Sequence, residues 1–112
     1  MRFAIPIANG LLAQHFGHCE RFAFLDVDKA TNKIVKSTEE PAPEHEPGLL
    51  PRWLHERGAT IVIAGGMGAR ARTLFEQAGI DVLTGAESRA PEAIVQDYLS
   101  GRLVTGTNSC DH

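Results

Sequence analysis

The sequence predicts a three-layer α/β domain: a five-stranded mixed sheet, strand order 3-2-1-4-5, with helices on both faces. Three observations predict it. After an apolar first strand, Arg21–Asp28 and Lys33–Glu39 flank a short polar turn as a β-hairpin would. Thr60–Ala64 reads Thr-Ile-Val-Ile-Ala, the unbroken β-branched run of a parallel strand covered on both faces. From there strand and helix patterns alternate, as right-handed crossovers onto a parallel sheet require.

The first strand is Arg2–Ile7, mostly apolar without clean alternation, and expected to end or bulge near Pro6, which has no N–H to donate. Asn9-Gly10 opens a loop. In the second strand Phe22, Phe24 and Asp26 share one face, and Ala23, Leu25 and Val27 the other. Lys29-Ala30-Thr31-Asn32 is the turn, with Asn32 suited to a left-handed conformation. Lys33–Glu39 is more polar and belongs at a sheet edge. Residues 40–48 hold three prolines and form a loop.

A helix is expected over Leu49–Arg57, with Pro51 in its first turn, Gly58 as its stop, and Leu50, Trp53 and Leu54 as its inner stripe. Gly65-Gly66-Met67-Gly68 turns sharply into a second helix, Ala69–Ala78, which buries Ala71, Leu74, Phe75 and Ala78 and ends at Gly79. Ile80–Leu83 is the last strand. Ser88 is the expected N-cap of a third helix with Pro91 in its first turn, an apolar stripe of Ile94, Val95, Tyr98 and Leu99, and Gly101 at its end. Residues 102–112 are expected to be a flexible tail of this one domain, 1–112.

Bulk properties exclude several functions. A net charge of −3 gives no electrostatic reason to bind nucleic acid or an anionic membrane. No apolar run approaches the roughly 18 residues a membrane span needs. The N-terminus lacks the apolar core of a signal peptide, and two distant cysteines make no disulfide framework. The expectation is a reducing cytoplasm with both thiols free.

In the expected strand order, strands 1 and 4 are parallel neighbours whose connections leave in opposite directions. Such a switch point is where α/β sheets bind ligands, beyond the carboxyl ends of the strands. The loop after strand 1 contains His15-Phe16-Gly17-His18-Cys19, and the Gly65–Gly68 turn leaves strand 4 at the same edge. The second cysteine lies in Cys110-Asp111-His112. Thiolate and imidazole bind zinc, copper and iron–sulfur clusters, so the two segments together make a candidate metal site. Taken singly, each is more simply a small buried thiol or a solvated imidazole, and the residues alone favour two unrelated segments over one site.

The glycine turn opens a helix and could receive an anion on its N–H groups, assisted by Arg70 and Arg72. It is neither a Walker loop nor a full dinucleotide fingerprint, and a tight strand-to-helix turn explains the glycines more simply than nucleotide binding does. Glu44-His45-Glu46 adds a further ligand type in a charged loop. For catalysis little is present: Asp26 and Asp28 are the closest paired carboxylates and stand beside a turn without a base or nucleophile.

The element order, His15-Phe16-Gly17 after strand 1, Ile63-Ala64-Gly65-Gly66-Met67-Gly68 after strand 4, and the closing Cys110-x-His112 resemble the dinitrogenase iron–molybdenum cofactor biosynthesis family. These are the NifX-like proteins, also found as the C-terminal domain of NifB-type proteins. The resemblance implies a ribonuclease H-like fold and a protein that binds or carries iron–sulfur or molybdenum-containing clusters, working with a cofactor-assembly protein. It implies that His15 and the Gly65, Gly66, Met67, Gly68 turn lie beside the cluster, and that Cys110 and His112 match a terminal motif of some members. His18 and Cys19 fall on variable positions.

The metal set expected from both arguments is His15, Cys19, Cys110 and His112. The cargo is an iron–sulfur or molybdenum-containing cluster, with a zinc-binding accessory or interaction module as the alternative, acting as monomer or homodimer. No enzyme activity is expected. A ribonuclease H-like nuclease needs acidic residues on its first strand for paired Mg²⁺, and Arg2–Ile7 has none. The chain also lacks the CxxxCxxC motif of radical cluster synthesis.

Overall fold

The computed structural model describes residues 1–14, 16, 19–43 and 48–103. The strands are β1 (Arg2–Ala8), β2 (Leu11–Leu12), β3 (Arg21–Asp28), β4 (Lys33–Pro41), β5 (Ile61–Ile63) and β6 (Asp81–Leu83). The helices are α1 (Leu49–Glu56) before β5, α2 (Ala69–Gln77) after it, and α3 (Pro91–Leu99) at the end. The result is a mixed α/β fold whose sheet runs β4-β3-β1-β5-β6, with β2 pairing to β1 off that path. β4, β3 and β1 are antiparallel neighbours, whereas β1, β5 and β6 are parallel.

The sheet has six strands, one more than expected. The extra strand is β2, and its cause is local. Asn9 and Gly10 both take positive φ, 57° and 79°, so Ala8 turns onto Leu11 through a two-residue hairpin. That backbone matches the twist of the flanking strands, which is why Asn-Gly favours it. β1 also runs straight through Pro6, which pairs with Phe22 and accepts the Ala13 N–H on its carbonyl at 2.8 Å. The missing Pro6 N–H faces the gap between the end of the β5 pairing at Ala4 and the start of the β2 pairing at Ile7, where no ladder donor is needed.

Alternation along the strands builds two cores. Phe3, Ile5, Leu25 and Ile63 pack under Ile94 and Val95 of α3. On the opposite face Ala4, Phe22, Phe24 and Val62 pack under Leu50 and Leu54 of α1 and Phe75 of α2. β1 is therefore buried on both sides, which accounts for its lack of alternation. β4 is exposed along most of its length and forms the sheet edge. Ser88 does not cap α3. Ala90 takes the cap position, and Pro91 as the first helical residue has no N–H to satisfy.

At the amino end of β1, Arg2 Nε donates to Asp26 Oδ1 at 2.6 Å and Nη2 to Oδ2 at 3.2 Å, while Nη1 donates to the Arg57 carbonyl. Asp28 accepts the Ala30 N–H at 2.9 Å and shapes the β3–β4 turn. The two carboxylates flagged by the sequence thus have structural partners, at the far end of the sheet from the Gly65–Gly68 turn. The hydrogen bonds from Arg2 hold the Asp26 carboxyl below the usual carboxylate range. A lowered native value stabilises the fold above about pH 4, and the gain is lost as pH falls through the native value. Asp26→Asn should remove that part of the acid dependence in urea titrations at stepped pH. The effect should be about 1 kcal/mol or less, because both side chains keep contact with solvent. An unchanged pH profile would show that the pair contributes nothing.

Candidate functional site

Three loops meet at the carboxyl edge of the parallel strands. Gly66 donates its N–H to the Gln14 carbonyl at 2.7 Å, and Phe16 donates back to the Gly66 carbonyl at 2.9 Å. The loop after β6 closes on the same turn, with Gly85 N–H on the Gly65 carbonyl at 2.6 Å and Ala86 N–H on the Ala64 carbonyl at 3.2 Å. The loop after β2, the turn after β5 and the loop after β6 are therefore stitched into one backbone assembly.

Two residues fix that junction. A Cβ on Gly65 would stand 2.9 Å from the Gln14 carbonyl oxygen and 3.1 Å from Gln14 Cα, so only glycine lets the two backbones approach this closely. Phe16 is 6% exposed and anchors the first loop from below. Its ring meets Phe22 at 5.8 Å and Phe75 edge-on at 5.4 Å, and Phe22 in turn packs against Trp53 at 5.5 Å. The polar residues of this stretch draw a metal-site reading from the sequence, but its structural anchor is Phe16. The signal was present: a large apolar side chain among potential ligands has to be buried somewhere.

Of the expected metal ligands, Cys19 is the one among the described residues; His15, Cys110 and His112 lie outside them, as do His18 and 44–47. Cys19 is half-buried and packs against the core that α1 and α2 cover. Burial pushes its thiol up to about 11 from an ordinary 9.0, against a smaller opposing pull from a backbone hydrogen bond. At neutral pH it is a neutral thiol, and a metal would have to displace its proton. Among the described residues no three His, Cys, Asp or Glu side chains gather to hold a metal ion.

Of the glycine turn, Gly65 and Gly66 line the junction, Met67 is buried in the core with Phe16 and Phe75, and Gly68 begins α2 in an extended conformation. The first turn of α2 has no acidic residue and no side-chain cap. Arg72 pairs with Glu76 at 3.8 Å along the helix, and Arg70 is exposed. Arg102 and Leu103, expected to begin a free tail, both donate backbone N–H groups to the Asp97 carbonyl, and Leu103 packs against the α3 core. No helix among the described residues is long and apolar enough to cross a membrane.

The raised thiol value has a direct consequence. In a Cys110→Ser background, alkylation of native, metal-free Cys19 at pH 8 should be roughly 100-fold slower than in urea-unfolded chain, because thiolate is the reactive form. The neutral thiol favours the fold below pH 9, and that advantage is lost as pH rises through 11. Equal alkylation rates in native and unfolded protein would contradict this burial.

Comparison with known proteins bears on the whole assembly. The family model described as dinitrogenase iron-molybdenum cofactor matches residues 1–101. A protein of Methanocaldococcus jannaschii is 28% identical over 106 residues, covering 92% of this chain and 89% of its own length. The crystal structure of PH0822 superimposes with a TM-score of 0.87 at 29% identity, covering 96% of both chains. The apo form of the orange protein from Desulfovibrio gigas does so with a TM-score of 0.71 at 25% identity, covering 96% of this chain and 93% of its own. The family match takes in all three loops at the carboxyl edge and ends before Cys110 and His112. The chain belongs to the dinitrogenase iron-molybdenum cofactor family.

Proposed function

We propose that the protein is a small carrier that holds an iron–sulfur or molybdenum-containing cluster, or its precursor, during cofactor assembly and hands it to a partner. The observation that carries this reading is the junction at the carboxyl edge, where Gln14 and Phe16, the sequence neighbours of His15, are hydrogen-bonded to Gly66. The chain around position 15 and the glycine turn thus meet at one edge of the sheet, at its switch point, which supports a shared ligand site there. The family description names an iron–molybdenum cofactor, and a structure of the orange protein's apo form presupposes a removable group in that relative.

In this reading His15, Cys19, Cys110 and His112 supply the side-chain ligands, and the Gly65–Gly68 backbone supplies N–H groups nearby. The fold is of the ribonuclease H-like class, formed by one NifX-like domain with a ligand-bearing tail. The cluster is cargo and no reaction is catalysed on it: β1 carries no carboxylate, and Asp26 is engaged by Arg2. A cysteine that must lose a proton to bind makes loading weaker as pH falls, which suits a site that releases what it holds.

Anaerobic purification followed by elemental analysis tests the reading. Iron and sulfide, with or without molybdenum, should co-elute with the protein, giving visible absorption and quenching Trp53, the sole tryptophan. A protein that emerges colourless, with zinc alone or no metal, would refute the cluster-carrier assignment.

A further inference from the structure

The loop after β6 grips the crevice from a third side, through a residue the carrier reading does not use. Leu12, at the end of β2, donates its N–H to the Arg89 carbonyl at 2.9 Å and accepts the Ser88 hydroxyl on its own carbonyl at 2.7 Å. β2 is thus held by β1 on one edge and by 88–89 on the other. Just beyond it, Gln14 and Phe16 make their bonds to Gly66. The Ser88 bond ties this chain to the loop after β6 through a side chain. Ser88 is otherwise exposed and caps no helix, yet its hydroxyl reaches a carbonyl 76 residues away.

We propose that Ser88 is a positioning residue for the cargo crevice: its hydroxyl fixes the Leu12 carbonyl laterally and so sets where Gln14 and Phe16 meet Gly66. The proposal rests on the carrier reading for what the crevice holds, but the placement of the backbone is a property of the metal-free protein. Leu12 is buried, so β2 cannot shift inward, and its freedom is sideways, along the edge that Ser88 closes. Removing the hydroxyl leaves the Leu12 carbonyl without that donor while leaving both cores untouched.

Two readouts on Ser88→Ala and Ser88→Thr separate this proposal from the function assigned above. In metal-free protein, amide exchange at Phe16 and Gly66 should quicken roughly five- to tenfold in Ser88→Ala, the scale of one ordinary hydrogen bond. Amides of Phe24 and Val62 in the sheet should be unchanged, and Ser88→Thr should restore wild-type exchange. On anaerobic titration with ferrous iron and sulfide, Ser88→Ala should bind several-fold more weakly with an altered visible circular dichroism spectrum, and the threonine variant should recover both. Unchanged exchange at Phe16 and Gly66, or acceleration spread evenly over the sheet, overturns the positioning role; so does unaltered binding and spectrum in Ser88→Ala. If wild-type protein takes up no iron or sulfide, the carrier reading fails, and the exchange result alone decides the role of Ser88.

Discussion

Gly65→Ala should destabilise the protein by about 1–3 kcal/mol, the usual cost of overpacking, whereas Gly68→Ala should cost only a few tenths. The two glycines stand three residues apart in one turn, and sequence alone treats them alike. The difference is what a methyl group would meet. At Gly65 it would press on the Gln14 backbone at 2.9 Å, and backbone cannot rotate away as a side-chain tip can. At Gly68 nothing lies within 4 Å. Relief at Gly65 requires the turn to move off the loop after β2, which stretches the Gly66–Gln14 and Phe16–Gly66 bonds. Cargo binding should therefore fall in Gly65→Ala and persist in Gly68→Ala. Urea denaturation with parallel metal loading checks both, and equal midpoints for the two variants would show that the close approach imposes no constraint.

Phe16→Ala should have the larger effect on stability, about 3–5 kcal/mol, because it removes a buried ring and leaves a cavity between Phe22 and Phe75. That is a large share of the roughly 5–15 kcal/mol by which domains of this kind are stable. Phe16→Leu keeps most of the burial and gives up the edge-on ring contacts, worth about 0.5–1.5 kcal/mol. Denaturation curves for the two variants measure the ranking. A Phe16→Ala protein as stable as wild type would mean that the loop is not anchored through the core.

How much of this was legible depended on whether the signal was local. The β-branched run at Ile61–Ile63 and the two-faced pattern of Phe22–Val27 report burial directly, and both cores follow from them. Asn32 in its left-handed turn was likewise readable, with φ of 58°. Asn9-Gly10 carries the same kind of local signal, since Asn-Gly favours the positive φ values of the two-residue hairpin it makes. Ser88 misled in the opposite way. Its spacing before Pro91 fits a cap, but its hydroxyl is taken by Leu12, a partner that no local pattern reveals. The pairing of Gln14 with Gly66 is equally non-local, and Gly65 is needed because of a backbone 51 positions earlier in the chain (65 − 14). The ligand types could be read from sequence, while the state of Cys19 could not, because a thiol's proton affinity is set by what buries it.

Anaerobic loading of wild-type protein and the Cys19→Ser/Cys110→Ser double variant, with iron, molybdenum and sulfide quantified on the re-isolated chains, tests the central claim most directly. Thiolates are the strong ligands of the assigned set, so the wild type should retain cargo through gel filtration while the double variant elutes at least roughly tenfold depleted with its fold intact. If the double variant holds as much cargo as the wild type, the assignment of this crevice and these thiols is wrong.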